Sequence, residues 1–352
     1  MAELTVGHVN LARGFRGGER QTELLIACLS RLGVKQYLVC RAGSPLAEHL
    51  DGTPDLEIIE LRKRIDLRFN GHKYLADKCD VIQAHEARAT QWAFVHYLLY
   101  KTPYATTRRV PESVRDNVLN RAIYAKAAAV VAISSAIGEG LKAQFKREIE
   151  LIPSSCAHFA VNKVKANEIN SRFAHCFVIG HIGALVDRHK GQSVLIKAAE
   201  ILKREIPNLK VVFLGSGIDL EKFKEQGKNL GDALVFEGFV SNVADYIKSF
   251  DVFAYPSNYE GLGSVLLDVM EQGIPVVATA VDGIPDIVKD HDSGLLIEKG
   301  DAKALADAVL KIKNDASLKE KLIQGALDMA KAHSPELMAA SYLALYKKLL
   351  KH

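Results

Sequence analysis

The 352-residue sequence is sparing with the features that would announce disulfides, metal chemistry or membrane insertion. Its five cysteines (Cys28, Cys40, Cys79, Cys156, Cys176) form no Cys-x-x-Cys pair, and no His pair stands nearby at ligand spacing. Disulfide, zinc and dithiol redox readings therefore give way to buried or free thiols in a reducing cytosol. No apolar run reaches the roughly 18 residues of a membrane span. The opening Ala-Glu-Leu-Thr-Val has no basic stretch leading into a long apolar run, so no secretory signal is expected. Tandem repeats and low-complexity tracts are absent from the sequence. So is a dinucleotide fingerprint: Gly215-Ser216-Gly217 is followed by Leu220 where a third glycine is required, which argues against a Rossmann oxidoreductase. The net charge of +4 is too small for a nucleic-acid-binding surface. It is unevenly placed, however, at +6 through residue 170 and −2 beyond it, which suggests an anionic partner for the first half.

What is present points to an α/β protein. Apolar residues make up 48% and charged residues 25%, enough for full cores, and the length suggests about two domains of roughly 150 residues. Strand-like runs at Leu4–His8, Tyr37–Cys40, Leu56–Glu60, Asp80–Ala84, Tyr104–Thr107, Val130–Ile133 and Ile149–Ile152 alternate with helical spacing, as in Arg20–Arg31 and Arg88–Tyr100. The pattern pauses at Pro153–Cys176, where the polar stretch Val161–Asn170 reads as a linker. It resumes with Phe177–Ile182, Leu209–Leu214, Ala233–Phe236, Asp251–Tyr255 and Pro275–Thr279. Such alternation calls for parallel sheets covered by helices, with ligands at the carboxyl ends of the strands. The expected division is an N-terminal domain over 1–160, a C-terminal domain over 161–334, and a terminal helix over 335–352 crossing back to the first.

The most informative segment runs from Asp251 to Leu296. A buried strand ends at Pro256-Ser257, and a glycine-bearing turn carrying Glu260 leads into a helix from about Gly263 to Gln272. The glycines let a ligand approach the backbone, and the first free N–H groups of the helix favour an anion such as pyrophosphate. Glu260 and Asp268 stand eight residues apart, a little over two helical turns, where carboxylates could accept from vicinal sugar hydroxyls. The segment, with Gly273-Ile274-Pro275-Val276-Val277-Ala278-Thr279, Gly283-Ile284-Pro285-Asp286 and the upstream Phe236-Glu237-Gly238-Phe239-Val240, resembles glycosyltransferase family 4. The runs Phe15–Leu25 and Thr107–Val110 look most like bacterial enzymes of lipopolysaccharide or polysaccharide assembly.

That resemblance implies the GT-B fold: two Rossmann-like domains whose parallel sheets face an interdomain cleft, the first binding acceptor and the second nucleotide sugar. It implies retention of anomeric configuration and independence of metal, which agrees with the lack of an Asp-x-Asp at a strand end. By the family pattern Glu260 contacts the donor sugar and Asp268, in place of the usual Glu, holds ribose hydroxyls. The loop Gly183-Ala184-Leu185-Val186-Asp187-Arg188-His189-Lys190-Gly191 has Ala184 where the family places an arginine, while Lys190 remains and Arg188 could restore the charge beside the diphosphate. Phe239, Val240, Gly261, Leu262, Gly263 and Ser264 complete the donor side, together with Gly17 and Gly18 of the Arg13–Gln21 loop. The pattern also yields His85, the second histidine of the family's His-x-His, while Arg13, Arg16 and the pair Arg108-Arg109 are expected on the acceptor side. Arg108 occupies the usual place of a histidine and cannot shuttle a proton. Glu260, Lys190 and His85 are the expected catalytic set.

The implied activity is hexosyl or heptosyl transfer from a UDP-, GDP- or ADP-linked sugar to an anionic glycan or glycolipid of the cell envelope, with no cofactor beyond that co-substrate. Its place would be cytoplasmic. Peripheral contact with the inner face of the membrane would draw on Arg62-Lys63-Arg64, Arg68 and Lys146-Arg147, which otherwise read as solvated. Trp92, Phe94, Val95, Leu98 and Leu99 read as a helix face packed on the first sheet rather than a membrane stripe. The alternative is a non-catalytic nucleotide-sugar or glycan-binding protein on the same fold.

Overall fold

The computed structural model describes residues 4–62 and 67–351. The chain divides into two compact units, the first running to Ala157 and resuming at Ser334, the second spanning His158–His333. In the first, β1 (Thr5–Asn10), β2 (Lys35–Arg41), β3 (Leu56–Leu61), β4 (Val81–Ala84), β5 (Tyr104–Arg108), β6 (Ala129–Ala132) and β7 (Glu150–Leu151) form one sheet in the order 3-2-1-4-5-6-7. In the second, β8 (Phe177–Ile182), β9 (Leu209–Leu214), β10 (Leu234–Gly238), β11 (Val252–Tyr255), β12 (Val276–Thr279) and β13 (Leu295–Ile297) follow the order 10-9-8-11-12-13. The pairings are parallel, with Val9 beside both Val39 and Ala84, and Ile179 beside both Val211 and Val252.

Both orders reverse direction once, between β1 and β4 and between β8 and β11. At such a switch point neighbouring loops diverge to opposite faces and leave a crevice beyond the strand ends, where ligands bind in sheets of this kind. The strands can be near-continuous apolar runs because helices cover them. In the first unit Val6, Leu25, Leu29, Val81, Ala105 and Val131 pack with Tyr342 and Tyr346 of the terminal helix Pro335–Leu349. The hydroxyls of those tyrosines meet Thr107 Oγ1 at 2.8 Å and donate to Gln83 Oε1 at 3.2 Å, which fixes the helix on the sheet. In the second, Ile179, Leu195, Ile196, Leu202, Val211 and Phe213 form the corresponding core.

Three expectations change. The polar stretch Val161–Asn170 is not a linker: Lys163–Arg172 is a helix of the second unit, capped by Asn162, with Ala166 and Ile169 buried. Its entry is held by Asn162 N–H donating to Asp245 Oδ1 at 2.7 Å. Trp92 is fully buried in the helix Ala87–Tyr100 and donates Nε1–H to Asn70 O at 2.7 Å, but Leu98 and Leu99 in its last turn are exposed. Arg147 is not simply solvated, since its guanidinium bonds the carbonyls of Tyr124 and Ala127 and closes the end of the helix Val118–Lys126. Lys63 and Arg64 lie outside the described residues. Among the described residues no helix is long and apolar enough to cross a membrane.

Candidate functional site

In the second unit the switch point gathers the loops after β8 and β11. Backbone bonds weave these loops together. Leu185 N–H donates to Ser216 O at 3.0 Å, Gly215 N–H to Gly238 O at 2.7 Å, and Asn258 N–H to His189 O at 2.8 Å. Three glycines make the approach possible. A Cβ on Gly215 would lie 2.0 Å from Gly183 O, one on Gly217 would lie 2.2 Å from Leu185 O, and one on Gly191 would lie 2.0 Å from Pro256 O. Asp187 fastens the loop after β8 by accepting from Ser193 N–H (2.8 Å), Ser193 Oγ–H (2.7 Å) and Lys222 (2.7 Å).

Within this frame Lys190, Tyr255 and Glu260 form a closed cluster. Lys190 Nζ donates to Glu260 Oε2 at 2.6 Å and to Tyr255 Oη at 2.7 Å, and Tyr255 Oη–H donates to the same carboxylate oxygen at 2.6 Å. The lysine and glutamate side chains are 21% and 17% exposed, so the pair is shielded yet reachable from solvent. Burial alone would make the Lys190 ammonium easier to deprotonate, but Tyr255 and Glu260 more than offset it and hold the ammonium more firmly protonated than usual. Tyr255 moves up chiefly because it is buried and next because Glu260 is anionic. Behind Lys190, the ring of His181 is fully buried and driven down to about 4 by that burial. Its Nδ1 lies 2.9 Å from Ala254 O. The backbone N–H of Glu260 donates to Asp282 Oδ2 at 2.8 Å, so the loop after β12 also sets the glutamate's position.

Of the other expected donor residues, Gly17 and Gly18 belong to the first unit and the rest to the second. Gly261, Leu262 and Gly263 are buried, with Gly263 at φ 84° immediately before the helix Ser264–Glu271, whose first residue, Ser264, is half-buried. Asp268 is half-buried in the middle of that helix. Arg188 and Ala184 are exposed. Phe239 is 82% exposed at the end of β10, next to half-buried Val240. An apolar ring so exposed beside strand carboxyl ends is suited to stacking on a planar ligand.

The first unit's switch point holds a different chemistry. His8 Nδ1 lies 3.0 Å from His85 Nε2, and His8 Nε2 lies 3.0 Å from Gln36 Oε1. Both rings are buried. Desolvation takes His8 to about 4 and also lowers His85 well below its ordinary value, with His8 and Arg109 adding to the effect, so both are neutral near pH 7. His85 Nδ1 is buried without a partner. Glu19 is buried and accepts from Arg16 N–H at 2.9 Å, which closes the turn of Gly17 and Gly18 into the helix Gly17–Arg31. Arg13 and Arg16 are exposed. Arg108 donates to Glu112 O at 2.5 Å, while half-buried Arg109 donates to Ser154 Oγ at 3.3 Å.

Sequence reasoning did not single out Tyr255, Asp282 or Arg41. The signal for Tyr255 and Arg41 was positional, since Tyr255 ends β11, which flanks the second unit's switch point, and Arg41 ends β2, beside β1.

The family described as Glycosyl transferases group 1 matches residues 166–329, most of the second unit. Over the whole length the chain is 26% identical to the lipopolysaccharide core biosynthesis glycosyltransferase LpsE of Rhizobium meliloti, covering 94% of this chain and 95% of that one. Its fold is that of a glycosyltransferase from Rickettsia africae, with a TM-score of 0.87 at 20% identity over 100% of both chains. It is also that of Anabaena HepE in complex with UDP and glucose, with a TM-score of 0.82 at 18% identity over 98% of this chain and 99% of that one. These likenesses and the two parallel sheets make the fold GT-B.

Proposed function

We propose that the chain is a metal-independent, retaining glycosyltransferase of family 4 type, moving a hexosyl or heptosyl group from a nucleoside diphosphate sugar to a cell-envelope glycan or glycolipid. The observation that carries this reading is the Lys190–Tyr255–Glu260 cluster at the switch point of the unit that matches Glycosyl transferases group 1. HepE binds UDP and glucose on the same fold, and LpsE acts in lipopolysaccharide core biosynthesis, which supports both halves of the proposal.

In this reading the donor diphosphate lies at the carboxyl ends of β8 and β11. Charge grows on the leaving phosphate as the glycosidic bond breaks, and a fixed ammonium stabilises that charge without reorganising. Lys190 is kept protonated, as that role requires. The free N–H groups at the start of the helix Ser264–Glu271 add a partial positive charge. Glu260 accepts from hydroxyls of the transferred sugar, Asp268 from the ribose, and Phe239 stacks on the base. The acceptor hydroxyl attacks from the face that the leaving group vacates and passes its proton to the departing phosphate. His85 is held neutral by burial, so it serves as a hydrogen-bonding group rather than as a charge. The protein works in the cytoplasm, at or near the inner face of the membrane.

The test is nucleotide release from a panel of UDP-, GDP- and ADP-sugars by wild type and Glu260→Ala. Release from one donor by wild type, abolished in the variant, is expected. Binding of a nucleotide sugar with no turnover or hydrolysis would instead favour a binding protein.

A further inference from the structure

The carboxyl ends of neighbouring strands in the first unit carry arginine after arginine. Arg41 is the last residue of β2, Arg13 lies three residues beyond the end of β1, and Arg88 lies four beyond the end of β4. The register pairs Asn10 with Cys40 and Val9 with Ala84, so these three strand ends are side by side at the switch point. Leu11 N–H donates to Glu86 Oε1 at 3.2 Å and ties the loop holding Arg13 to the turn holding Arg88.

Two carboxylates are close, and both are engaged with backbone. Glu86 accepts from the N–H groups of Leu11, Arg88 (2.6 Å) and Ala89 (2.8 Å), and Glu60 accepts from Gly43 N–H at 2.8 Å. Among the described residues no carboxylate lies within ion-pair distance of the guanidinium of Arg13, Arg41 or Arg88. Arg41 Nε is buried with no hydrogen-bond partner at all. Its guanidinium is less basic than usual, first because of burial and then because Arg13 and Arg88 repel it, an effect only partly offset by Glu86. Orphaned buried donors and unrelieved repulsion are costly, and an anion would remove both costs at once.

We propose that Arg13, Arg41 and Arg88 form a binding site for a phosphate monoester carried by the acceptor sugar. Three guanidinium groups against the nearby carboxylates of Glu86 and Glu60 leave an excess of about one positive charge, which favours an anion such as a phosphate over a neutral sugar. The planar forks suit bidentate recognition of phosphate oxygens, and the described strand-end cations are arginine rather than lysine. The inference deepens the proposed function, because it rests on the first unit being the acceptor side.

The experiment is isothermal titration of the full chain with glucose 6-phosphate, glucose, inorganic phosphate, phosphatidylglycerol vesicles and UDP. The variants are Arg41→Gln, Arg41→Lys and Arg88→Gln. Arg88 is exposed, so its variant tests the site even if changes at Arg41 disturb folding. Saturable binding of glucose 6-phosphate but not glucose is expected. It should weaken about tenfold or more in each glutamine variant and remain weakened in Arg41→Lys, with UDP affinity unchanged. Equal affinity in wild type and Arg88→Gln, no saturable binding by wild type, or arginine-dependent binding confined to vesicles would each overturn the proposal. Sugar-phosphate binding that follows these arginines in a chain that neither binds nor turns over a nucleotide sugar would leave the site standing and sink the transferase reading instead.

Discussion

Glu260→Gln should separate the two tasks assigned to the Lys190 cluster. In the structure the ammonium is bound to Glu260 and Tyr255, so a donor diphosphate must draw it away from the carboxylate. With side chains 21% and 17% exposed, the pair lies between a surface ion pair, worth about 0–1 kcal/mol, and a buried one, whose rupture costs about 3–5 kcal/mol. Neutralising Glu260 should therefore cost about 2 kcal/mol of stability, read by urea denaturation of the second unit. UDP affinity should stay level or rise, because the competing carboxylate is gone, while sugar transfer falls by about a hundredfold, near 2.7 kcal/mol of transition-state stabilisation. Lys190→Met should show the opposite pattern in binding, losing a charge-assisted contact worth about 1.5–3 kcal/mol and weakening UDP by about 10- to 100-fold. Calorimetric titration of both variants with UDP, beside the denaturation curves, checks this directly. If Glu260→Gln loses UDP affinity in step with Lys190→Met, the carboxylate positions the ammonium rather than competing for it, and the exchange of partners is refuted.

Gly191→Ala should lower stability by about 2–4 kcal/mol, visible in a melting scan, because its φ of 63° is unfavourable for alanine and the new Cβ would lie 2.0 Å from Pro256 O. Phe239→Ala should leave the melting temperature within error, since the ring is 82% exposed, yet weaken UDP by about tenfold in titration. Ala184→Arg should tighten UDP by about three- to fivefold at low salt and lose that gain at high salt, as befits an exposed charge. Buried His96 and His181, each at about 4 against an ordinary 6.5, give full stability above pH 6.5 that falls away as pH drops toward 4, by about 3 kcal/mol each. Both ring nitrogens of His96 are buried without partners, so His96→Phe should flatten that fall by about one proton in denaturant titrations at pH 7 and 5.

Strands were legible because a parallel sheet covered on both faces leaves short apolar runs bounded by turn residues, as at Phe177–Ile182 and Leu209–Leu214. The helix Lys163–Arg172 was not, because it buries little beyond Ala166 and Ile169 and, exposed Val164 aside, its other residues are polar; the Asn162 cap was its one clear mark. Strand β13 escaped for the opposite reason. Three residues, Leu295–Ile297, carry no period, and only their pairing with Val277–Thr279 makes them a strand. The Gly-rich loops pointed to the second switch point, but the bonded cluster joins Lys190 to residues 65 and 70 positions away, a closure that no local pattern encodes.

The departures from the family pattern can be weighed by what their neighbours do. At Ala184 the loop's shape does not depend on the side chain. Gly183 N–H donates to Leu214 O at 2.9 Å, Ala184 O accepts from Gln192 Nε2–H at 2.8 Å, and Leu185 N–H donates to Ser216 O. An arginine missing from such a position removes charge but leaves geometry intact, which places more weight on Lys190. That lysine is correspondingly the most constrained cation of the loop, bonded to Tyr255 and Glu260 and backed by the neutral ring of His181. Arg108 differs in kind, because its guanidinium is already turned onto Glu112 O and cannot give up a proton. A first unit with a buried histidine pair and arginines at its strand ends fits the anionic acceptor proposed above better than a proton shuttle. That division suits a reaction whose proton leaves with the departing phosphate.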